Sequence, residues 1–317
     1  MTWISYGNIF EPKKYLKWVK SHSWVPTPII IKNNLVRVFF AARDFENHSN
    51  VCYFDISLDS PKKILNYSKS PILKKGRLGC FDDCAVIPSH IIKVKKKFYL
   101  YYVGWTQGVT VPYISSIGLA ISNSINGKFK RYSEAPIIGR NEHDPIFTAS
   151  CFVQYKKNKF YMIYTSNKSW QNKPYFKPNY TLKVANSSNG IFWKVGNKFL
   201  IRKSINEMAI TRPWILNLKK RSFLIYSYKS YKNKGKNYKI GIAEKINDNF
   251  IRKDGFIKIF NNKDSFDNKM QEYAAIIEYK NFFYMFYNGN NYGEKGIGLA
   301  VISKSNFFKS LHDSKKI

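Results

Sequence analysis

Acidic residues are scarce in this chain of 317 residues. It has 20 Asp and Glu against 53 Lys and Arg, which gives a formal net charge of +33 at pH 7. The positive charge is mostly lysine, spread along the chain among many Asn residues. It indicates either a solvated basic surface that reflects composition alone, or attraction to an anionic partner such as nucleic acid, an acidic membrane leaflet or a charged sugar. No nucleic-acid-binding motif is recognisable, so we expect no specific nucleic acid and at most a peripheral attraction to membranes.

Cysteines and long apolar runs are also few. The four cysteines form no CxxC pair, which predicts small buried thiols in a reducing compartment and no metal site. No segment has the roughly 18 uninterrupted apolar residues that a membrane span needs. The first residues lack the basic stretch and apolar core of a secretory signal. We therefore expect a cytoplasmic protein that needs no cofactor.

A long helical period is absent too, and a strand-like repeat takes its place. A phrase of five aromatic and aliphatic residues begins at positions 36, 98, 160, 223 and 283, at intervals of 62, 62, 63 and 60 residues. Such a regular period in strand-forming residues is typical of repeat architectures. A unit of this length holds about four strands. The sequence therefore predicts an all-β fold, a five-bladed β-propeller with blades of about four antiparallel strands.

The ends of the chain complete this prediction. The fifth unit lacks a fourth strand, and residues 3–6 offer a spare one. We expect this N-terminal strand to close the last blade, so that residues 1–302 form a single propeller domain. Residues 303–317 read as a polar C-terminal tail.

Acidic residues recur at one position of the repeat. Asp82, Asp144, Glu207 and Asp267 each lie 16 residues ahead of their aromatic phrase, at the predicted start of an inner strand. In a propeller these starts converge on one end of the central channel. A ring of carboxyl groups suits glycosidic chemistry, which needs one protonated and one ionised carboxyl group. The other interpretation is that these acids cap strand ends and pair with lysines.

The segments that follow the phrases converge on the same end of the channel, and they are rich in amides, Arg and aromatic residues. Amides and carboxylates bind sugar hydroxyls, and aromatic rings stack on the apolar faces of sugars. The predicted substrate-binding residues at this mouth are Arg43, Asp44, Trp105, Arg212, Glu272, Tyr273, Asn288, Asn290 and Tyr292.

Several motifs resemble a bacterial family of five-bladed propeller proteins described as predicted glycosyl hydrolases. They are Gly79-Cys80-Phe81-Asp82-Asp83 with Pro88, Val103-Gly104-Trp105, the segment 116–122, and Tyr287-Asn288-Gly289-Asn290 with Tyr292-Gly293 and the segment 296–300. The family is similar to the arabinanase, levansucrase and invertase group and to the mannoside phosphorylases. The resemblance covers about residues 21–302.

The resemblance implies a carbohydrate-active, glycoside hydrolase-like enzyme with its site at the channel mouth. On its motifs, Asp82 or Asp83 and Glu207 become the expected acid/base pair, and Asp144 and Glu272 would orient the sugar or tune pKa values. The chain departs from the family at Val25-Pro26-Thr27-Pro28, where arabinanase-like enzymes place a catalytic Asp. Ala274 stands where a Pro is expected.

Three functions remain open from the sequence. The first is a glycosidase, which the resemblance places in surface-polysaccharide metabolism. The second is a glycosyltransferase or glycoside phosphorylase that uses a phosphate-bearing sugar, with Arg43 and Arg212 holding the phosphate. The third is a non-catalytic glycan-binding propeller. The expected partner is a carbohydrate, which could be anionic or linked to a lipid or nucleotide.

Overall fold

The computed structural model describes residues 2–172, 176–218, 221–231, 237–259 and 265–313. In chain order the strands of these residues are β1 (Thr2–Phe10), β2 (Ser21–Lys32), β3 (Leu35–Arg43), β4 (Ser49–Ser57), β5 (Ser60–Tyr67), β6 (Ala85–Val94), β7 (Lys97–Gln107), β8 (Tyr113–Ser122), β9 (Lys130–Arg131), β10 (Phe147–Lys156), β11 (Lys159–Gln171), β12 (Lys177–Ser187), β13 (Lys194–Phe199), β14 (Glu207–Leu218), β15 (Arg221–Ser230), β16 (Lys239–Ile246), β17 (Asn249–Arg252), β18 (Lys258–Ile259), β19 (Glu272–Tyr279), β20 (Phe282–Asn288) and β21 (Ile297–Ser303). The helical segments are a 3₁₀ turn at Pro12–Lys14, the single turn α1 (Asn290–Gly293) and α2 (Lys304–Asp313).

The strands pair as five antiparallel meanders. Four of them run β2-β3-β4-β5, β6-β7-β8-β9, β10-β11-β12-β13 and β14-β15-β16-β17, and the last runs β19-β20-β21-β1. Strand β1 thus takes the outer position of the last meander, antiparallel to β21, and it also pairs with β18 in parallel. The first and last parts of the chain are joined by these backbone hydrogen bonds.

The first strand of each meander faces a common axis. Strand β2 contacts β6, β6 contacts β10, β10 contacts β14, β14 contacts β19, and β19 contacts β2 again. This ring of inner strands is closed, and the meanders radiate from it. The alternation of buried phrases and exposed hairpin tips produces this arrangement, because each meander is apolar on both faces and must be covered by its two neighbours.

The apolar core lies between neighbouring meanders. One cluster joins the first and last meanders through Phe10, Phe40, Phe54 and Phe286, all with at most 1% exposure. Phe10 stacks on Phe54 with ring centroids 4.3 Å apart. Burying an aromatic or aliphatic side chain of this size contributes about 1.5–3 kcal/mol each, so the repeated phrases supply most of the driving force for closure.

The segment after residue 302 differs from the predicted polar tail. It contains helix α2, whose Phe307 and Leu311 are buried in the core cluster of the last two meanders. Phe307 packs edge-on against Trp3 and Phe283. Phe307 and Leu311 are spaced four apart and therefore share one helix face, and the partly buried Phe308 packs against the same cluster. The rest of the predicted tail, residues 314–317, lies outside the described residues.

No helix of the described residues is both long and apolar enough to cross a membrane. The four cysteines are free thiols. Cys52 and Cys151 are buried, and burial raises the pKa of each to about 12, whereas Cys80 and Cys84 are partly exposed. The two buried thiols therefore stay protonated and unreactive.

Candidate carbohydrate site

A pocket of about 410 Å³ opens on the axis at one end of the ring. Its floor has one or two residues from each inner strand, at matching positions of the repeat: Val25, Ile87, Ala149, Arg212 and Tyr273. These positions are 62, 62, 63 and 61 residues apart, which is the period of the aromatic phrase. The pocket is therefore built by the repeat itself and lies where all five inner strands meet.

Each inner strand carries a β-bulge at this level. The register shifts fall between Trp24 and Thr27, Pro88 and His90, Thr148 and Cys151, Thr211 and Trp214, and Glu272 and Ala275. Val25, Arg212 and Tyr273 adopt φ angles of 57°, 54° and 54°, which are unusual for residues other than glycine. Bulges re-aim side chains, and strained backbone is concentrated at functional sites.

Aromatic side chains form the wall of the pocket. The lining includes three Trp and five Tyr, namely Trp24, Trp105, Trp170, Tyr113, Tyr180, Tyr238, Tyr273 and Tyr292. They contact one another: the ring centroid of Tyr113 is 4.4 Å from that of Trp105 and 5.2 Å from that of Trp170. Such rigid, largely apolar planes with polar edges suit the flat faces of sugar rings.

The charged groups that line the pocket are cations. They are Arg43, Arg212 and Lys229, and the described lining residues include no carboxylate. The guanidinium of Arg43 lies 5.0 Å from the centre of the Trp24 ring, and burial lowers its pKa. Burial also lowers the pKa of Lys229 to about 8, against the opposing charge of Glu272, so its ammonium is easily deprotonated. The amine lies 4.6 Å above the ring of Tyr238.

Glu272 lies directly behind this lining. It is fully buried, and its two carboxyl oxygens have no hydrogen-bond partner in the described structure. Burial raises the pKa of Glu272 well above its usual value, and Lys229 only partly opposes this. The electrostatic influence of Glu272 also reaches Tyr273 and Tyr292 in the pocket wall. Glu272 is therefore a buried carboxyl group with a raised pKa next to the pocket, which is the direction of shift that a general acid needs.

Several unpartnered polar atoms lie at the pocket wall. The indole nitrogens of Trp24 and Trp170 and the Nε of Arg212 are buried without a hydrogen-bond partner in the described part of the chain. Most buried polar atoms in proteins have partners, and exceptions call for an explanation. Donors of this kind at a pocket wall can bind the hydroxyl or carboxylate oxygens of a ligand.

Arg212 also links three inner strands through hydrogen bonds. Its guanidinium donates to the carbonyl oxygen of Ser89, to that of Pro26 at 2.8 Å and to the hydroxyl of Thr27 at 3.0 Å. These partners belong to the first two meanders, whereas Arg212 belongs to the fourth. The predicted interaction of Arg212 with phosphate therefore competes with a structural role across the axis.

The acids predicted to be catalytic lie elsewhere. Asp82, Asp144 and Asp267 are almost completely buried, and each accepts a hydrogen bond from the Tyr that ends its own aromatic phrase. The distances are 3.0 Å from Tyr102, 2.8 Å from Tyr164 and 2.7 Å from Tyr287. None of the three lines the pocket. The prediction that Asp82 and Asp144 are catalytic is not supported, because each carboxylate is used within its own meander.

Two of these three buried acids also form an ion pair with a basic side chain. Arg131 contacts Asp82 at 2.8 Å, and Lys183 contacts Asp144 at 2.8 Å. Burial alone would raise the pKa of Asp144, but hydrogen bonds from Lys183, Ser166 and Tyr164 outweigh it and lower the pKa. A carboxylate held ionised in this way is a poor proton donor. The second interpretation of the repeated acids, pairing with basic residues, therefore fits these positions.

Asp83 and Glu207 stabilise loops. Asp83 accepts a hydrogen bond from the N–H of Gly79 at 3.0 Å; burial alone would raise its pKa, but this bond and those from Thr106 and Cys84 lower it. Glu207 accepts a hydrogen bond from the N–H of Ser204 at 2.8 Å and pairs with Arg252. Neither residue lines the pocket. The expected acid/base pair is thus not brought together there.

Three other predicted substrate-binding residues also have structural partners. Asp44 accepts hydrogen bonds from the N–H groups of Glu46 and His48 and so closes a turn. The amide of Asn288 binds the N–H of Val25 and the carbonyl of Ser23, and Asn290 caps the N–H groups of Lys269 and Met270. Asn288 thereby positions the first floor residue of the pocket.

Five predicted residues do lie at the pocket lining: Arg43, Trp105, Arg212, Tyr273 and Tyr292. Five residues that were not predicted as site residues also line the pocket: Trp24, Trp170, Tyr180, Lys229 and Tyr238. Trp170 and Lys229 fall in segments that were expected at the mouth, so their position was a usable signal. Tyr180 lies near the start of the third strand β12, and Tyr238 lies directly before the third strand β16. No site residue was predicted in this part of the repeat.

The fold has close counterparts among solved structures. A glycoside hydrolase superposes with a TM-score of 0.73 at 15% identity, over 94% of this chain and 90% of its own. A structure titled as the GH130 family of mannoside phosphorylases, containing glycoside hydrolases that target β-1,2 mannosidic linkages in Candida mannan, gives 0.66 at 14% identity over 90% and 85%. An endo-arabinase from Bacteroides thetaiotaomicron gives 0.62 at 12% identity over 89% and 95%. The predicted all-β propeller fold is confirmed.

No protein-family model matches the chain. Among curated proteins, the "Uncharacterized protein Rv1502" of Mycobacterium tuberculosis strain H37Rv is 31% identical over 306 residues, which is 95% of this chain and 99% of the relative. The protein MT1551 of strain CDC 1551 matches at the same identity and coverage. This chain therefore belongs to the protein family of Rv1502.

Proposed function

We propose that this protein is a carbohydrate-active enzyme that acts on a glycosidic bond in the axial pocket. The observation that carries the proposal is the composition of the pocket: three Trp and five Tyr, unpartnered indole donors and a buried carboxyl group with a raised pKa directly behind the wall. The likeness to glycoside hydrolases and to mannoside phosphorylases in fold supports the same substrate class. The proposed substrate is a sugar with a negatively charged group, because Arg43, Arg212 and Lys229 line the pocket.

Proton transfer falls to Lys229 and Glu272 in this proposal. Lys229 reaches the pocket, and with a pKa of about 8 its ammonium can give a proton to a leaving oxygen near neutral pH. Glu272 lies behind it and can transfer its own proton to the amine that Lys229 leaves, which converts the two groups into an ion pair; the proton released by the incoming phosphate then restores Glu272. Both groups are held by rigid strands, β15 and β19, at the level of the bulges.

Cleavage also requires a nucleophile, which in this proposal is supplied by a second substrate and not by the protein. Hydrolysis by paired carboxyl groups uses two acids about 5–9.5 Å apart, and the described lining residues offer none. A pocket with three cations instead suits phosphorolysis or glycosyl transfer, because phosphate or a phosphate-activated sugar carries the negative charge that these cations bind. This favours the second function left open by the sequence, and we place it as a cytoplasmic step on a nucleotide- or lipid-linked sugar.

Product analysis tests the proposal directly. A panel of neutral and uronic nitrophenyl glycosides and oligosaccharides is incubated with the protein, with and without inorganic phosphate, and the products are separated by anion-exchange chromatography. We expect turnover that requires phosphate and is lost in Lys229→Met. Lys239→Met, an exposed lysine on the next strand, is the matched control and keeps activity. Phosphate-independent hydrolysis would contradict the mechanism, and binding without turnover would leave a glycan-binding protein.

A further inference from the structure

The most exposed large apolar side chains all lie at one end of the propeller. Leu78 and Ile205 are 90% and 94% exposed and Val109 is completely exposed, whereas the other exposed apolar side chains of the described residues reach at most 71%. We call the end at which the inner strands begin and the second strands end the pocket end. Leu78 lies ahead of β6, Ile205 ahead of β14 and Val109 directly after β7, so all three are on pocket-end loops.

These loops are held in fixed shapes that present the apolar side chains. In the Leu78 loop, the N–H of Gly76 binds the carbonyl of Asp82, and the N–H of Gly79 binds the carboxylate of Asp83. In the Ile205 turn, Glu207 accepts from the N–H of Ser204. The acids that the sequence predicts as catalytic therefore build the loops that expose these residues. Single exposed apolar side chains are common on protein surfaces, so these three are notable for sharing one end of the fold and for their almost complete exposure.

Further apolar side chains surround the pocket at the same end. Phe45 is 67% exposed after β3, Phe176 is 47% exposed between β11 and β12, and Tyr231 is 37% exposed after β15. Phe176 also belongs to the pocket lining. Together with Leu78, Val109 and Ile205 they form a broken ring on the first four meanders, which we call the apolar rim.

The net charge of the whole surface favours an anionic partner, although exposed Glu46 next to Phe45 and Glu142 ahead of β10 oppose it at the pocket end. Eight of the buried polar side chains of the described residues are Asp or Glu, and only four are Lys or Arg, so burial makes the surface more basic than the composition does. Exposed Lys74 and Arg202 lie a few residues from Leu78 and Ile205. Arg77, next to Leu78, is paired with Glu134 and adds less.

We propose that the apolar rim docks on an anionic lipid bilayer, with Leu78, Val109 and Ile205 inserted at the level of the head groups. Apolar side chains next to basic ones are the combination that binds such interfaces, because insertion and attraction to anionic lipid add. The docked pocket then faces the membrane, so the sugar that it binds is attached to a lipid. The attachment of the sugar to a lipid rests on the proposed function, whereas the docking does not.

Vesicle flotation tests the docking without any sugar. The full chain is mixed with phosphatidylcholine vesicles, or with vesicles that also contain phosphatidylglycerol, and the bound fraction is measured at low and high salt. We expect binding to the anionic vesicles that weakens with salt, and little binding to the neutral ones. The triple variant Leu78→Ser, Val109→Ser, Ile205→Ser should bind the anionic vesicles at least tenfold more weakly, with an unchanged melting temperature.

A matched triple variant at the opposite end controls for lost apolar surface. Ile30, Ile246 and Phe282 are 39–46% exposed and lie near hairpin tips away from the pocket, so their change to Ser should leave binding unaltered. Docking is refuted by equal binding of the wild type and the rim variant, by equal loss in both triple variants, or by no binding of the wild type to anionic vesicles. Failure of the glycoside assays would leave this result untouched, and failure of flotation would leave the glycosidic activity untouched.

Discussion

Replacing Asp144 by Asn should unfold the protein more easily, although Asn is nearly isosteric. The carboxylate accepts hydrogen bonds from Tyr164 at 2.8 Å, Ser166 at 2.5 Å and Lys183 at 2.8 Å, and the side chains of Asp144 and Lys183 are both 0% exposed. The change leaves the Lys183 ammonium buried without a counter-charge. Removing one partner of a buried ion pair costs about 3–5 kcal/mol, and we expect this loss in the free energy of unfolding.

Urea titration followed by tryptophan fluorescence measures this loss. The double variant Asp144→Asn, Lys183→Met should cost about 1–3 kcal/mol less than the sum of the single variants, because the stranded charge is gone. Asp248→Asn, at a 98% exposed side chain paired loosely with Lys245, is the matched control and should change stability by less than about 0.5 kcal/mol. Since the folded-state pKa of Asp144 is lowered, its contribution is present at neutral pH and is lost as the pH falls below about 4. An Asp144→Asn variant as stable as the wild type would refute the structural role.

Three further outcomes follow from the pocket. Arg212→Met should lower the free energy of unfolding by at least about 2 kcal/mol, because the carbonyl of Ser89 and its neighbours lose their donor; an unchanged urea midpoint would contradict this. Trp170→Phe keeps a ring but removes the unpartnered indole donor, so sugar affinity measured by calorimetry should fall severalfold, whereas Trp193→Phe, away from the pocket, should leave it unchanged. Binding of an anionic sugar should weaken above about pH 8, where Lys229 loses its charge, and a flat pH profile would remove Lys229 from the site.

The repeat was readable from the sequence because strand propensity and spacing are local properties. The aromatic phrases became β3, β7, β11, β15 and β20, whose neighbours could then be placed in order. Helix α2 was missed because its apolar side is only three residues, Phe307, Phe308 and Leu311, and its burial depends on the distant cluster that it covers. Such tertiary burial leaves little trace in a short polar segment.

The repeated acids were a true pattern with a different physical cause. Asp82, Asp144 and Asp267 recur because each precedes by 20 residues a Tyr that reaches back to it within the meander. The fourth meander breaks the rule: Tyr226 binds Asp254, and Glu207 pairs with Arg252 instead. Sequence alone placed these residues at the correct end of the fold, but it could not show whether their side chains face the axis.

The residues of the pocket floor have a weaker signal in the sequence. Pro26, Pro88 and Pro213 each follow a floor residue, and proline inside a strand usually marks a bulge or an edge. Three of the five bulges could thus have been suspected from the sequence, whereas Ala149 and Tyr273 are not followed by a proline. The sequence could not predict that Tyr180 and Tyr238, at the start of third strands, also line the pocket. Their position depends on how neighbouring meanders pack.

A crystal structure with a bound oligosaccharide, chosen from the product panel as one that the protein binds, tests the central claim most directly. The axial pocket predicts a sugar ring against the wall formed by Trp105, Tyr113 and Trp170, with its charged group near Arg43 and Lys229. A sugar bound instead against Asp82, Asp144 or Glu207, away from that wall, would contradict the assignment of the site.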